Sequence, residues 1–162
     1  MIKYLTFAIS IAFISWIVGM LISAMLSKTS FITKNMSQLN FIRSEKLNNV
    51  IGLNYFKWII IHSFFKFFNP KLSMKKRILP RELEDYRAEM TAAEVNHIFA
   101  FAFMLIFVLI NVFKGLYLSA WIIMLVNIIM NLYPALLQQQ NKRRIDKYLA
   151  ILKRRADWPI NV

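Results

Sequence analysis

Three long apolar runs leave a chain of 162 residues little room for a water-soluble fold. They fall near 4–26, 96–113 and 116–138. A helix that crosses a bilayer needs about 20 such residues, because every backbone polar group must be satisfied inside the segment. The first run is broken only by Thr6, Ser10, Ser15 and Ser23. Lys3 ahead of it resembles the start of a signal peptide, but the apolar core exceeds the roughly 7 to 15 residues of a secretory h-region, so an uncleaved anchor is expected. Hydrophobic residues make up 58% of the chain, which points to one small integral membrane domain.

The segments between these runs are polar and basic. Residues 51–69, "IGLNYFKWIIIHSFFKFFN", are apolar and aromatic yet contain Lys57, His62 and Lys66. At about 100° per residue, Asn54, His62, Lys66 and Asn69 fall in one sector of roughly 120°. With basic flanks on both sides, an interfacial or re-entrant amphipathic helix is expected here. Pro80 followed by "RELEDY" marks a helix start with acids in its first turn, so a helix over 80–113 should enter the membrane near residue 95. A basic surface helix is expected over 141–156. The fold class is therefore all-α, with three transmembrane helices, an interfacial helix and a basic C-terminal helix.

The net charge is +13. Lysine and arginine concentrate between residues 28 and 95 and after residue 141, while the turn around Gly115 holds only Lys114. By the positive-inside rule the C-terminus is expected in the cytoplasm and the protein in the cell (inner) membrane as a multi-pass protein. The positive charge then faces anionic membrane lipids, and nucleic acid is not an expected partner. The chain has no cysteine, which excludes disulfides, thiolate catalysis and Cys-ligated metals. Two histidines form no metal motif, and no Gly-rich phosphate loop or nucleophile elbow is present. The acyltransferase box of histidine, four residues and aspartate is absent as well.

Three constellations carry chemistry. Glu94 and His97 lie three apart, on one helix face, where the second long run begins. A carboxylate beside an imidazole can steer it as a general base. The same "TAAE" also reads as a capping box, with Thr91 as N-cap, unless the helix has already begun upstream. Asn127, Asn131, Pro134 and Gln138 follow spacings of 4, 3 and 4, and Asn141 falls close to the same line. Such a stripe is either a polar site or interhelical glue. Pro134 also frees the carbonyl of Met130, which then needs a partner. Lys142, Arg143 and Arg144 follow directly. They suit a phosphate or a positive-inside anchor.

"NLYPALLQQQNKRR", with "AEVNH" upstream and "ILKRR" downstream, resembles the small membrane acyltransferases of staphyloxanthin biosynthesis, the glycosyl-4,4'-diaponeurosporenoate acyltransferases. The resemblance covers roughly residues 86–155. The family's pattern falls here on Glu94, His97, Asn131, Tyr133, Pro134, Gln138, Asn141 and Arg144. This chain departs from it at Gln139, Gln140 and Lys142, where an arginine and a tyrosine are lost from the family's run. The resemblance implies an O-acyltransferase that moves a fatty acyl group onto a hydroxyl of a glycolipid or related lipid acceptor. His97 steered by Glu94 would be catalytic, and Asn131, Tyr133, Gln138, Asn141, Arg143 and Arg144 would bind substrate. It implies no tightly bound cofactor and no metal, with acyl-CoA or an acyl carrier protein as acyl donor. The alternative is a non-catalytic subunit or assembly factor associated with a larger membrane complex of the envelope.

Overall fold

The computed structural model describes residues 1–27, 36–63 and 82–156. Among them every regular element is helical: α1 (Ile2–Ser27), α2 (Glu45–Val50), α3 (Leu53–His62), α4 (Leu83–Phe113), α5 (Tyr117–Asn127), a π turn (Ile128–Leu132) and α6 (Tyr133–Ala156). Three helical stretches are long and apolar enough to cross a membrane: Ile2–Leu26, Leu83–Phe113 and Tyr117–Arg154. The expected all-α class with three such helices is what is found. Pro80, Lys66 and Asn69 lie outside the described residues.

α1 runs antiparallel to α4, with Phe7 against Phe107, Trp16 against His97 and Gly19 against Asn96. Ala8, Ile11 and Ala12 of α1 join Met104, Ile123 and Val126 in the apolar core of the bundle. Small residues on α1 allow this close approach, as is usual between membrane helices, where packing rather than hydrophobicity drives association. The outward faces keep their large apolar side chains exposed, among them Phe13, Ile14, Ile17, Leu109, Trp121 and Leu125. In water that surface would be a severe liability; in lipid it costs nothing.

α4 and α5 are joined by a tight turn. Gly115 adopts φ +70°, the Leu116 N–H donates to Asn111 O at 2.9 Å, and the Gly115 N–H donates to Val112 O at 2.9 Å. This is a Schellman ending, in which glycine takes the left-handed position at no steric cost. It forces α4 and α6 to lie side by side and antiparallel.

One feature departs from the sequence reading. The third run does not end near residue 138 to give a separate surface helix at 141. It continues without a break to Ala156, and Gln138–Lys142 are buried rather than released to solvent. Among the described residues of the amphipathic segment 51–69, Leu53–His62 form one helix, α3, which begins after Gly52 at φ +75°; the short α2 lies upstream of that segment. Leu53 packs on Leu136 and Leu137 of α6, with Phe56 and Tyr133 beside them, so α3 lies against the first turns of α6.

Gly19 sets the distance between α1 and α4. A Cβ there would sit 2.3 Å from the backbone oxygen of Asn96, which cannot swing aside as a side chain could. Gly19→Ala should therefore destabilise the fold by about 1–3 kcal/mol, the usual cost of overpacking. Thermal unfolding in detergent checks this. An unchanged midpoint would mean that α1 and α4 do not meet at Gly19.

Candidate active site

Glu94 is fully buried on α4 and does not touch His97 through any hydrogen bond among the described residues. Its partners come from α6. Gln139 Nε2 donates to Glu94 Oε1 at 2.8 Å, and Lys142 Nζ donates to Glu94 Oε2 at 2.5 Å. Lys142 is itself 3% exposed, so this is an ion pair inside the bundle. The predicted Glu94–His97 dyad is thus replaced by a Glu94–Gln139–Lys142 cluster. The capping-box reading also fails. Thr91 lies inside α4, and its hydroxyl donates to Arg87 O one turn back, at 3.0 Å.

The amide stripe divides into two parts. Asn127 and Asn131 are fully buried and satisfied. Asn127 Nδ2 donates to Phe101 O at 3.1 Å. Asn131 Nδ2 reaches Asn127 Oδ1 at 2.9 Å and Ser15 Oγ at 3.3 Å. Asn131 Oδ1 accepts from Trp16 Nε1 at 3.0 Å, and the same N–H lies 3.3 Å from Met130 O. Trp16 is thus the partner of the carbonyl that Pro134 frees. The backbone adjusts too. The Tyr133 N–H reaches back five residues to Ile128 O, forming the π turn just ahead of the proline.

Above this floor is a cavity of about 320 Å³. Ala93, Asn96 and His97 form its α4 wall, Trp16 and Met20 its α1 wall, and Met130, Pro134 and Gln138 stand opposite. Phe56 and Ile60 of α3 close it from the side. His97 stands edge-on to the Trp16 ring, with centroids 6.2 Å apart. His97 Nδ1 and Asn96 Oδ1 are buried and have no hydrogen-bond partner. His97 and Gln138 therefore share one cavity, as the predicted juxtaposition requires, while Asn131 lies beneath it.

Of the remaining predicted residues, Tyr133 and Arg143 serve the segment 36–63, which straps across α6. Tyr133 Oη donates to Ile51 O at 2.6 Å, and its ring packs on Phe56. Arg143 Nη1 donates to Ile42 O at 2.6 Å and to Asn40. Gln139 Oε1 accepts from the Phe41 N–H at 2.9 Å, so one glutamine joins the strap to Glu94. Asn141 is buried with Nδ2 unpartnered, and Arg144 is exposed. Desolvation on α3, with repulsion from Arg144, holds the Lys57 ammonium below its ordinary range. At the strap's edge, the hydrogen bond from Lys147 holds the exposed Glu45 carboxyl below its ordinary range. Among the described residues no cluster of histidine, aspartate and glutamate could hold a metal ion.

Sequence reading missed three contributors. Gln139 and Lys142 followed the last apolar run and were read as leaving the bilayer. Trp16 carried no polar signal, although a free Met130 carbonyl implied a donor.

The family model for glycosyl-4,4'-diaponeurosporenoate acyltransferase matches residues 28–151. The chain belongs to this family. The match includes the whole cavity wall on α3, α4 and α6, as well as the buried cluster around Glu94. It extends well upstream of residue 86, where the resemblance read from the sequence began, and so takes in the strap. No curated protein and no solved structure matches the chain.

The ion pair makes a testable demand. Removing one partner leaves an uncompensated buried charge, which typically costs about 3–5 kcal/mol. Glu94→Ala or Lys142→Ala should each abolish most folded protein, measured as monodisperse yield in detergent. The double variant Glu94→Gln/Lys142→Met should recover much of it. Equal losses in the double and single variants would show that the two charges do not compensate each other.

Proposed function

We propose that this chain transfers a fatty acyl group from a thioester donor to a hydroxyl of a membrane glycolipid, in the cavity beside His97. The observation that carries this reading is the unpartnered His97 Nδ1 in the wall of a largely apolar cavity. A buried polar atom without a partner is costly, and such atoms concentrate where a ligand completes the hydrogen bond. The family name supplies the reaction class.

The chemistry needs no enzyme nucleophile, consistent with a chain that has no cysteine. The acceptor hydroxyl attacks the thioester carbonyl as His97 takes its proton. A C–O bond forms and the carbonyl oxygen becomes an oxyanion. The Gln138 side-chain amide, on the opposite wall, is the N–H donor for that charge. Collapse breaks the C–S bond, and the thiolate leaves with the proton from His97. The products are an ester and a thiol. The donor is acyl-CoA or an acyl carrier protein. Its phosphates would meet Arg144 and Lys57, cations close enough to repel each other. Lys142 is taken by its ion pair with Glu94, and Arg143 commits Nη1 to Ile42 O and Asn40 while its Nη2 has no partner.

Glu94 acts on His97 only through the fold, since its carboxylate is engaged by Gln139 and Lys142. His97→Ala should lower turnover by about 10²- to 10⁴-fold, the usual contribution of a positioned base, with insertion unchanged. His97→Gln should not rescue it, because an amide cannot take the proton. Mass spectrometry of acylated glycolipid in vesicles given acyl-CoA reads the result. Full turnover by the His97→Ala protein sinks the mechanism.

The same reading places the donor site, with Arg144 and Lys57, in the cytoplasm, where thioesters are made. A reporter fused after Val162 should then be active only in its cytoplasmic form. An external signal would reverse the orientation.

A further inference from the structure

We propose that the cavity opens sideways between α1 and α6, and that the occupant of this portal is the apolar chain of a membrane amphiphile. Its hydroxylated head lies against Asn96, His97 and Gln138. The proposal rests on the acyl-transfer reading and adds the route by which the acceptor arrives: from within the bilayer rather than from water.

The rim carries the first argument. Met20 and Ile129 line the cavity, yet they are 51% and 55% exposed. They belong to α1 and to the π turn, and their neighbours Ile17 and Leu21 on α1 and Leu125 at the end of α5 are also apolar and exposed. The mouth therefore faces the surface that lipid would cover. A water-borne substrate entering there would have to cross hydrocarbon.

The second argument is why a gap exists. α1 packs along α4 and α5 but makes no more than marginal contact with α6 or α3. Trp16 pins α1 to the π turn through Met130 O and Asn131 Oδ1. One turn further along, Gly19 draws α1 onto Asn96 of α4 instead. Pro134 and the π turn interrupt the regular α-helical hydrogen bonding of the other wall at the same level. The two helices thus part just beyond the Trp16 contact, and the opening lies between them.

The third argument is the order of polarity. The inner wall bears the unpartnered Asn96 Oδ1 and His97 Nδ1, and the rim bears only hydrocarbon and thioether. A purely apolar ligand would leave both polar atoms unsatisfied. A sugar would satisfy them but gain nothing at the rim. A single molecule with hydroxyls at one end and an alkyl chain at the other matches both ends of the cavity.

The test uses the full chain in phosphatidylglycerol vesicles and a hexadecyl glucoside carrying a photoreactive diazirine on its chain. After illumination, cross-linked peptides are mapped by mass spectrometry. Labelling should concentrate at Met20 and Ile129, above that at the outward-facing Ile106 and Leu109, and excess unlabelled hexadecyl glucoside should remove it. Free glucose should not. Met20→Trp and Ile129→Trp add bulk that narrows the mouth, and each should cut rim labelling by about tenfold, equivalent to about 1.4 kcal/mol of lost binding. Labelling at the rim no stronger than at Ile106, or unaffected by competitor and by both tryptophan variants, overturns the portal. The readout needs no turnover, so labelling is measured in vesicles without an acyl donor. Acyl transfer by a protein whose rim residues stay unlabelled would leave the acyltransferase reading standing and remove only this route. Rim labelling in a protein with no acyl transfer would leave the portal and remove the reaction.

Discussion

The buried charge of Glu94 organises more of this molecule than any other single group. Taking a carboxylate and an ammonium out of water costs several kcal/mol each, which their attraction repays only with good geometry and further hydrogen bonds. Here Lys142 supplies the counter-charge and Gln139 the extra hydrogen bond. The consequence is a register. The Schellman turn at Gly115 fixes one end of the α4–α6 hairpin, and the ion pair fixes the other. A slip of one helical turn, about 5.4 Å, would bury both charges unpaired. The position of His97 against Gln138 follows from that register. So does the strap, because the other end of Gln139 holds the Phe41 N–H.

This gives a physical reason for amides and cations at the end of an apolar run. The strap's residues 36–44 have no regular helix to absorb their backbone groups, and those that lie against α6 need partners. Gln139 accepts from Phe41, Arg143 donates to Ile42 O, and Tyr133 donates to Ile51 O. The side chains that looked like a phosphate cradle are largely hydrogen-bond donors for another part of the same chain. Arg144 alone of the predicted cationic pair is left facing outward.

The helices and their turn were legible because their signals are local. Apolar length marks a span, and a glycine after an apolar run marks its end. The pairing of Glu94 was not legible. Residues three apart on a helix differ by about 60° around its axis, which suffices to point one toward α6 and the other into a cavity against α1. Nor could pattern show that Gln138–Lys142 are buried. Polar residues following an apolar run ordinarily leave the membrane. They stay inside here because a segment roughly a hundred residues upstream folds over them, and no periodicity records that contact. Pro134 was informative in a different way. It implied a free carbonyl, and the structure fills it with Trp16.

The amide stripe shows how satisfaction separates scaffold from chemistry where sequence cannot. Asn127, Asn131 and Gln138 share one face and look alike by spacing. Asn127 and Asn131 are closed within the bundle: each amide nitrogen has an acceptor, and Asn131 Oδ1 has Trp16. They act as interhelical glue, and their contacts join α1 and α4 to the end of α5 and the π turn. One turn toward the basic end, the groups change character. Asn96 Oδ1 and His97 Nδ1 are as well shielded but have nothing to bond. These two atoms face a 320 Å³ cavity, whereas the amides on the level below are closed off by their neighbours. On the proposed reading, this is the level at which a ligand, rather than the fold, completes the hydrogen bonds.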